Sequence, residues 1–119
     1  MLTLPIKKKW FNMILSGEKK EEYREIKPYY TSRFIKMLGF PKSEREDVKE
    51  LLSQMETMKS FEIVFRNGYD TKSPSIIADC YISIGPGKPE WGAEPGKDYY
   101  ILKIHALRIR EPTEEKKNE

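Results

Sequence analysis

One cysteine, Cys80, and one histidine, His105, occur in 119 residues. A single thiol excludes an internal disulfide and a cysteine-built metal cage, and a single imidazole excludes a histidine-rich one. No metal is expected, and no motif calls for another cofactor. Gly85-Pro86-Gly87 is not a phosphate loop, because no Lys-Ser/Thr pair and no helix follow it. Long apolar runs are also lacking. None approaches the roughly 20 residues that a membrane span needs. The opening MLTLPIKKKW has no apolar stretch of the signal-peptide kind. These absences point to a cytoplasmic protein with no membrane contact. There is no internal repeat.

Enough apolar residues remain, 38% of the chain, to bury one modest core, and the length suits one domain. Charge is unevenly spread. The net charge is +3, yet residues 1–36 alone hold nine Lys/Arg against four Glu. Residues 37–110 balance, and the tail EPTEEKKNE is acidic by two. A basic excess confined to the N-terminal third suggests a polyanionic partner.

Periodicity divides the chain in two. Leu2, Leu4 and Ile6 alternate as a short strand, with Pro5 placing it at an edge. Trp10, Phe11, Ile14 and Leu15 recur at helical spacing, and Gly17 suits the helix C-cap. KKEEYREIK reads as an extended segment that Pro28 breaks. Tyr30, Phe34, Met37 and Leu38 share one helical face, stopped by Gly39 and Pro41. Ser43 and Glu46 form a capping box before a helix over residues 44–59, striped with Val48, Leu51, Leu52, Met55 and Met58. The period then changes to two. Strands are expected around Phe61–Arg66, Ile76–Ile84 and Tyr99–Arg110, with a tight turn at Asn67-Gly68. The inward set of the last strand switches near Ala106, from Leu102 and Ile104 to Leu107 and Ile109, which a β-bulge would explain. The tail at 111–119 has nothing to bury and reads as disordered. Helices early and strands late make an α+β domain over residues 1–110. Its economical packing is a small barrel of about five to six strands flanked by helices, with the segment near 42–59 as a helical elaboration.

Two stretches carry candidate chemistry. The loop GPGKPEWGAEPGKD, residues 85–98, is long for a compact domain. Its Trp91 either stacks on an unpaired base or folds back to plug the barrel mouth. The other stretch is SGEKKEEYR, where six of nine residues are charged. In an extended segment Glu22 and Arg24 share one face and Tyr23 takes the other. Lys19, just past the turn at Gly17, is free to swing toward Glu22. Such a trio suits a phosphate, to which Arg24 offers a planar fork, or acid–base work by Lys19 and Glu22, or an ion pair closing the helix–strand corner. Lys7, Lys8 and Lys9 would extend a basic path or simply face solvent. Tyr29 and Tyr30 suit a cleft wall or the core. Arg66 is placed to face the cleft from a neighbouring strand. His105 alternates with core positions near the bulge and Cys80 falls on the apolar face; both read as structural.

The run WFNMILSGEKKEEYR resembles the ASCH domain, a branch of the PUA-like superfamily. That family carries a G-x-K-x-x-E-x-R signature after its first helix, matched by Gly17, Lys19, Glu22 and Arg24. The resemblance spans roughly residues 2–110. It implies a β-barrel with a cleft beside the motif, and RNA or a nucleotide as the partner. On this basis the ligand-binding residues expected are Lys19, Glu22, Arg24, Arg66 and Trp91. Some compact bacterial members are amidohydrolases that deacetylate N4-acetylcytidine, and a related protein is a ribonuclease. The resemblance thus also implies an alternative in which Lys19 and Glu22 are catalytic. The amidohydrolases use a Thr three residues after the motif lysine, where this chain has Glu22. A carboxylate cannot replace that hydroxyl without a change of mechanism. Their further catalytic Glu lies on a later strand, where Glu62 and Asp79 are the nearest candidates.

Overall fold

The computed structural model describes residues 1–39 and 59–110. Most of the helix expected near 42–59, with its Ser43–Glu46 cap, and the tail at 111–119 lie outside the described residues. The rest forms an α+β domain: β1 (Leu2–Ile6), α1 (Lys8–Leu15), β2 (Glu21–Glu25), α2 (Pro28–Leu38), β3 (Phe61–Asn67), β4 (Ser75–Pro86) and β5 (Asp98–Arg110). A short 3-10 turn, Pro89–Trp91, interrupts the loop between β4 and β5.

The five strands make one mixed sheet in the order β1-β3-β4-β5-β2, curled into a half-barrel. The pairing of β1 with β3 is parallel; the other three pairings are antiparallel. Residues directly opposite across a ladder share a face, so the register identifies the inner wall. Leu4, Phe65 and Ile76 line up across β1, β3 and β4, and Ile82 meets Leu102 on β5. These residues, with Phe11 and Ile14 of α1 and Phe34, Ile35 and Leu38 of α2, form the core. Phe34 packs edge-on against Tyr100 at 5.1 Å between ring centroids, while Thr31 and the Tyr100 hydroxyl share a hydrogen bond. Pro28 stands at the first position of α2, where its missing N–H is harmless, and Gly39 caps the other end in the left-handed conformation.

The expected switch in β5 is present. Asp79 pairs with Ala106 but Cys80 pairs with Ile104, leaving His105 as the extra residue of a bulge. Beyond it Leu107 and Ile109 return to the inner face opposite Ala78 and Ile76. Even so, Ile109 remains 68% exposed. The tight turn expected at Asn67-Gly68 is a longer connection, residues 68–74. Asn67 stays in β3 and its N–H donates to Pro74 O, while the Gly68 N–H donates to Ile6 O. Gly68 therefore serves the β1–β3 junction instead of a two-residue hairpin.

Both sheet edges belong to the N-terminal segment. β1 is one edge and β2 the other, with α1 between them in sequence. Curling brings the two edges close enough for a single side chain to span the gap: Arg24 on β2 donates from Nη2 to Pro5 O on β1 at 2.9 Å. The seam where the half-barrel fails to close is also where the charged motif lies.

Candidate functional site at the barrel seam

Glu22 pairs with Leu102 and Arg24 with Tyr100, so β2 continues an apolar inner wall with two charged side chains. Lys19 joins them from the turn after α1, where its own N–H donates to Met13 O and closes the helix end. Lys19 is 2% exposed and Glu22 6%. The Lys19 ammonium donates to Trp91 O at 2.7 Å and sits 3.3 Å from Glu22 Oε1. Its other neighbours are the rings of Trp10 and Tyr23, at 5.0 and 4.9 Å, whose faces also attract a cation. Glu22 Oε2 accepts from Arg24 Nη2 at 2.8 Å, and Arg24 Nη1 donates to the Tyr30 hydroxyl at 3.1 Å. One connected network thus ties the β4–β5 loop, β2, β1 and α2.

Burial sets the proton affinities here. Desolvation pushes the Lys19 pKa below its ordinary 10.5, opposed by the attraction of Glu22 and assisted by the nearby Arg24. On the opposite face of β2 Tyr23 donates to Glu21 Oε1 and accepts from the Lys88 N–H. Burial, followed by the bond to Glu21, raises its pKa well above the usual phenol value, so it stays neutral. Tyr99 likewise accepts from the Glu94 N–H at 2.9 Å. Cys80, fully buried in the core, has its thiol pushed up to about 12, chiefly by desolvation.

A cavity of about 530 Å³ opens over the seam. Its walls are aromatic: Trp10, Tyr23, Tyr30, Tyr69 and Tyr99. Its charged groups are Lys7, Glu22, Arg24, Glu25 and Lys27. A recess of about 90 Å³ shares Trp10, Glu22, Tyr23 and Tyr99 with it and adds Lys19 and Trp91. Loop 87–97 covers this recess by close backbone approach. A Cβ on Gly87 would lie 2.7 Å from both Ala93 and the Tyr23 ring, and Gly92 takes φ +104 with Trp10 at 3.1 Å from where its Cβ would be.

Lys19, Glu22 and Arg24 therefore meet. Trp91 joins them through its carbonyl, and its ring, half-buried, lines the recess with the Lys88 ammonium 4.5 Å from the ring centroid. Arg66 does not line either hollow; it stands on β3 between Pro5 and Ser75, with a buried Nε lacking a hydrogen-bond partner. Glu62 and Asp79 are on the other side of the sheet from the core, both against Arg108. Sequence reasoning missed Trp10, Tyr23, Tyr69 and Tyr99 as walls. Trp10 shares the helical face of Phe11 and Ile14, so its period announces only burial. Tyr69 and Tyr99 adjoin turn residues, a placement that carries no signal of its own.

Among the described residues no group of three or more His, Cys, Asp or Glu side chains is placed to hold a metal ion. No described helix is long and apolar enough to cross a membrane. Comparison of the chain with protein-family models, curated proteins and solved structures finds no match.

Proposed function

We propose that this is an ASCH-type, PUA-like domain of the cytoplasm that binds RNA or a nucleotide in the seam cavity. One observation carries the reading: a buried Lys19–Glu22–Arg24 network lies directly beneath a cavity with five aromatic walls. Aromatic faces suit unpaired bases, and exposed lysines at the rim, Lys7 and Lys27, suit phosphates. The trio is tied to its surroundings: Lys19 to Trp91 O of the β4–β5 loop, Arg24 to Pro5 O of β1 and to Tyr30 of α2. The curled mixed sheet, with the motif at its seam, fits the family's layout.

A hydrolase acting on a modified nucleoside or on RNA is the second reading. It is favoured by the depressed pKa of Lys19 beside a carboxylate in a small recess. Against it, both oxygens of Glu22 already face cations. Incubation with N4-acetylcytidine, followed by chromatography, separates the two: turnover lost in Lys19→Ala supports the enzyme.

The binding reading is tested by fluorescence anisotropy of a short labelled single-stranded RNA across a salt series. The double variant Lys7→Ala/Lys27→Ala should bind more weakly, and its log–log salt slope should fall by about 0.7 for each lysine that contacts a phosphate. Both lysines are exposed, so the fold should survive. Unchanged affinity and slope would refute RNA binding in this cavity.

A further inference from the structure

Tyr29, the second residue of α2, is 54% exposed, yet its ring is held in place. Arg33 lies one helical turn on, on the same face, and long helical side chains lean toward the N-terminus. Its guanidinium carbon therefore stands 3.5 Å from the Tyr29 ring centroid, and Nη1 donates to Tyr29 O at 3.0 Å. The Tyr30 ring meets the Tyr29 ring at 86°, with centroids 5.0 Å apart. Ring and guanidinium are thus arranged before any ligand arrives.

This pair ends a row that begins in the buried network. Glu22 pairs with Arg24, Arg24 lies 5.5 Å from the Tyr30 centroid and donates to its hydroxyl, and Tyr30 meets Tyr29. Exposure rises along the row: Glu22 is buried, Arg24 and Tyr30 are partly buried, and Tyr29 is exposed. Tyr30 lines the seam cavity, whereas Tyr29 and Arg33 do not. A ligand confined to the cavity reaches Tyr30 and leaves the outer pair uncovered.

Net charge on the cavity wall is small. Lys7, Arg24 and Lys27 stand against Glu22 and Glu25, and Lys27 is bridged to Glu25 at 2.9 Å. For a base-bearing ligand that near balance leaves stacking as the stronger source of affinity. Unpaired bases stack on aromatic rings and on arginine planes alike, and each stacked base adds to binding. A base-paired strand keeps its bases stacked on one another and offers no free face.

We infer that Tyr29 and Arg33 form a second stacking subsite, so that the site takes a single-stranded segment of two or more nucleotides. One base enters the cavity and its neighbour lies on the outer pair. A free mononucleotide fills only the first position. This inference rests on the binding reading above and narrows its ligand to a strand.

The test is calorimetric titration at fixed salt with three probes. They are adenosine 5′-monophosphate, the 5′-phosphorylated diadenylate, and the same dinucleotide with an abasic second position. The diadenylate should bind about tenfold more tightly than the mononucleotide. The abasic probe has the same phosphates and no second base, so it should recover little of that gain. Tyr29→Ala should bring the ratio of diadenylate to mononucleotide affinity close to one. Arg33→Lys keeps the charge but loses the plane, and should lower the ratio as well. Because the readout is a ratio within one variant, a partly unfolded sample does not imitate the effect. Equal binding of mononucleotide and diadenylate would overturn the second subsite and leave the binding reading standing. So would a gain that the abasic probe reproduces, or one that survives Tyr29→Ala; the pair would then serve only the helix. If neither these probes nor a longer single-stranded RNA binds, both readings fall.

Discussion

Glu22 and Glu25 lie three residues apart in one strand, and each carboxylate sits between two cations. Their surroundings differ. The Glu22 side chain is 8% exposed and its partners Lys19 and Arg24 are 1% and 11%, whereas Glu25 is 47% exposed with Lys27 and Lys97 at 53% and 37%. In the dry pair each group has lost water and relies on the others, so removing one leaves a charge uncompensated. In the wet pair water and salt replace whatever is removed. The same local pattern therefore bridges the seam at one position and decorates its rim at the other.

That contrast can be broken most sharply by neutralising each carboxylate in turn. Glu22→Gln should lower the unfolding free energy by about 3–5 kcal/mol in urea titration, while Glu25→Gln should barely move the midpoint at neutral pH. Equal losses would mean that burial does not separate the two. A smaller effect should come from the loop that keeps the inner network dry. Gly92→Ala forces a side chain onto a backbone at φ +104 with Trp10 in the way, and should cost about 1–2 kcal/mol. Faster hydrogen exchange at the Glu94 amide would show the same loosening.

The pH dependence divides the two regions with opposite signs. The lysines bonded to Glu25 hold its pKa down to about 2 against an ordinary 4.5. Its stabilisation is therefore complete above 4.5 and is lost as pH falls from 4.5 to about 2. Solvent screens this exposed pair, so the acid limb it contributes is shallow, and Glu25→Gln, or high salt on the native chain, should remove only that small limb. Lys97 has its pKa raised by Glu25, so its contribution is present below 10.5 and lost as pH climbs through the raised value. Lys19 behaves the other way. Its pKa is lowered from 10.5 by burial, so the buried ammonium opposes folding at neutral pH, and stability is regained as pH rises from the lowered value toward 10.5. Lys19→Met should remove that alkaline gain, and Lys97→Met should remove the alkaline loss, both read from the urea midpoint against pH.

Much of the architecture was legible in the sequence because it rests on local periods. The alternation of Leu2, Leu4 and Ile6, the helical spacing from Trp10 to Leu15 and the bulge near Ala106 all appear at or within a residue of where the pattern places them. The same-face placement of Glu22 and Arg24 follows from strand geometry alone. What the pattern did not reveal is non-local. Arg24 reaches Pro5 only because the sheet curls, and Lys19 meets Trp91 across 72 positions of chain. Trp91 contributes a backbone carbonyl, which has no residue-type signature. Asn67-Gly68 looked like a hairpin because its dipeptide usually is one, but pairing with β1 captured it instead. Arg66, judged by neighbourhood in sequence, stands outside the cavity.

The central claim is that the seam above Lys19, Glu22 and Arg24 is where an anionic, base-bearing ligand sits. The most direct measurement is an NMR titration of the 15N-labelled protein with a short single-stranded RNA at low and high salt. The expected result is shift changes at the Trp10 indole and at the backbone of Lys7, Glu22–Lys27, Tyr69 and Tyr99, weakened by salt. Changes centred instead on the far end of β5, around Leu107 and Ile109, or no changes at all, would contradict it.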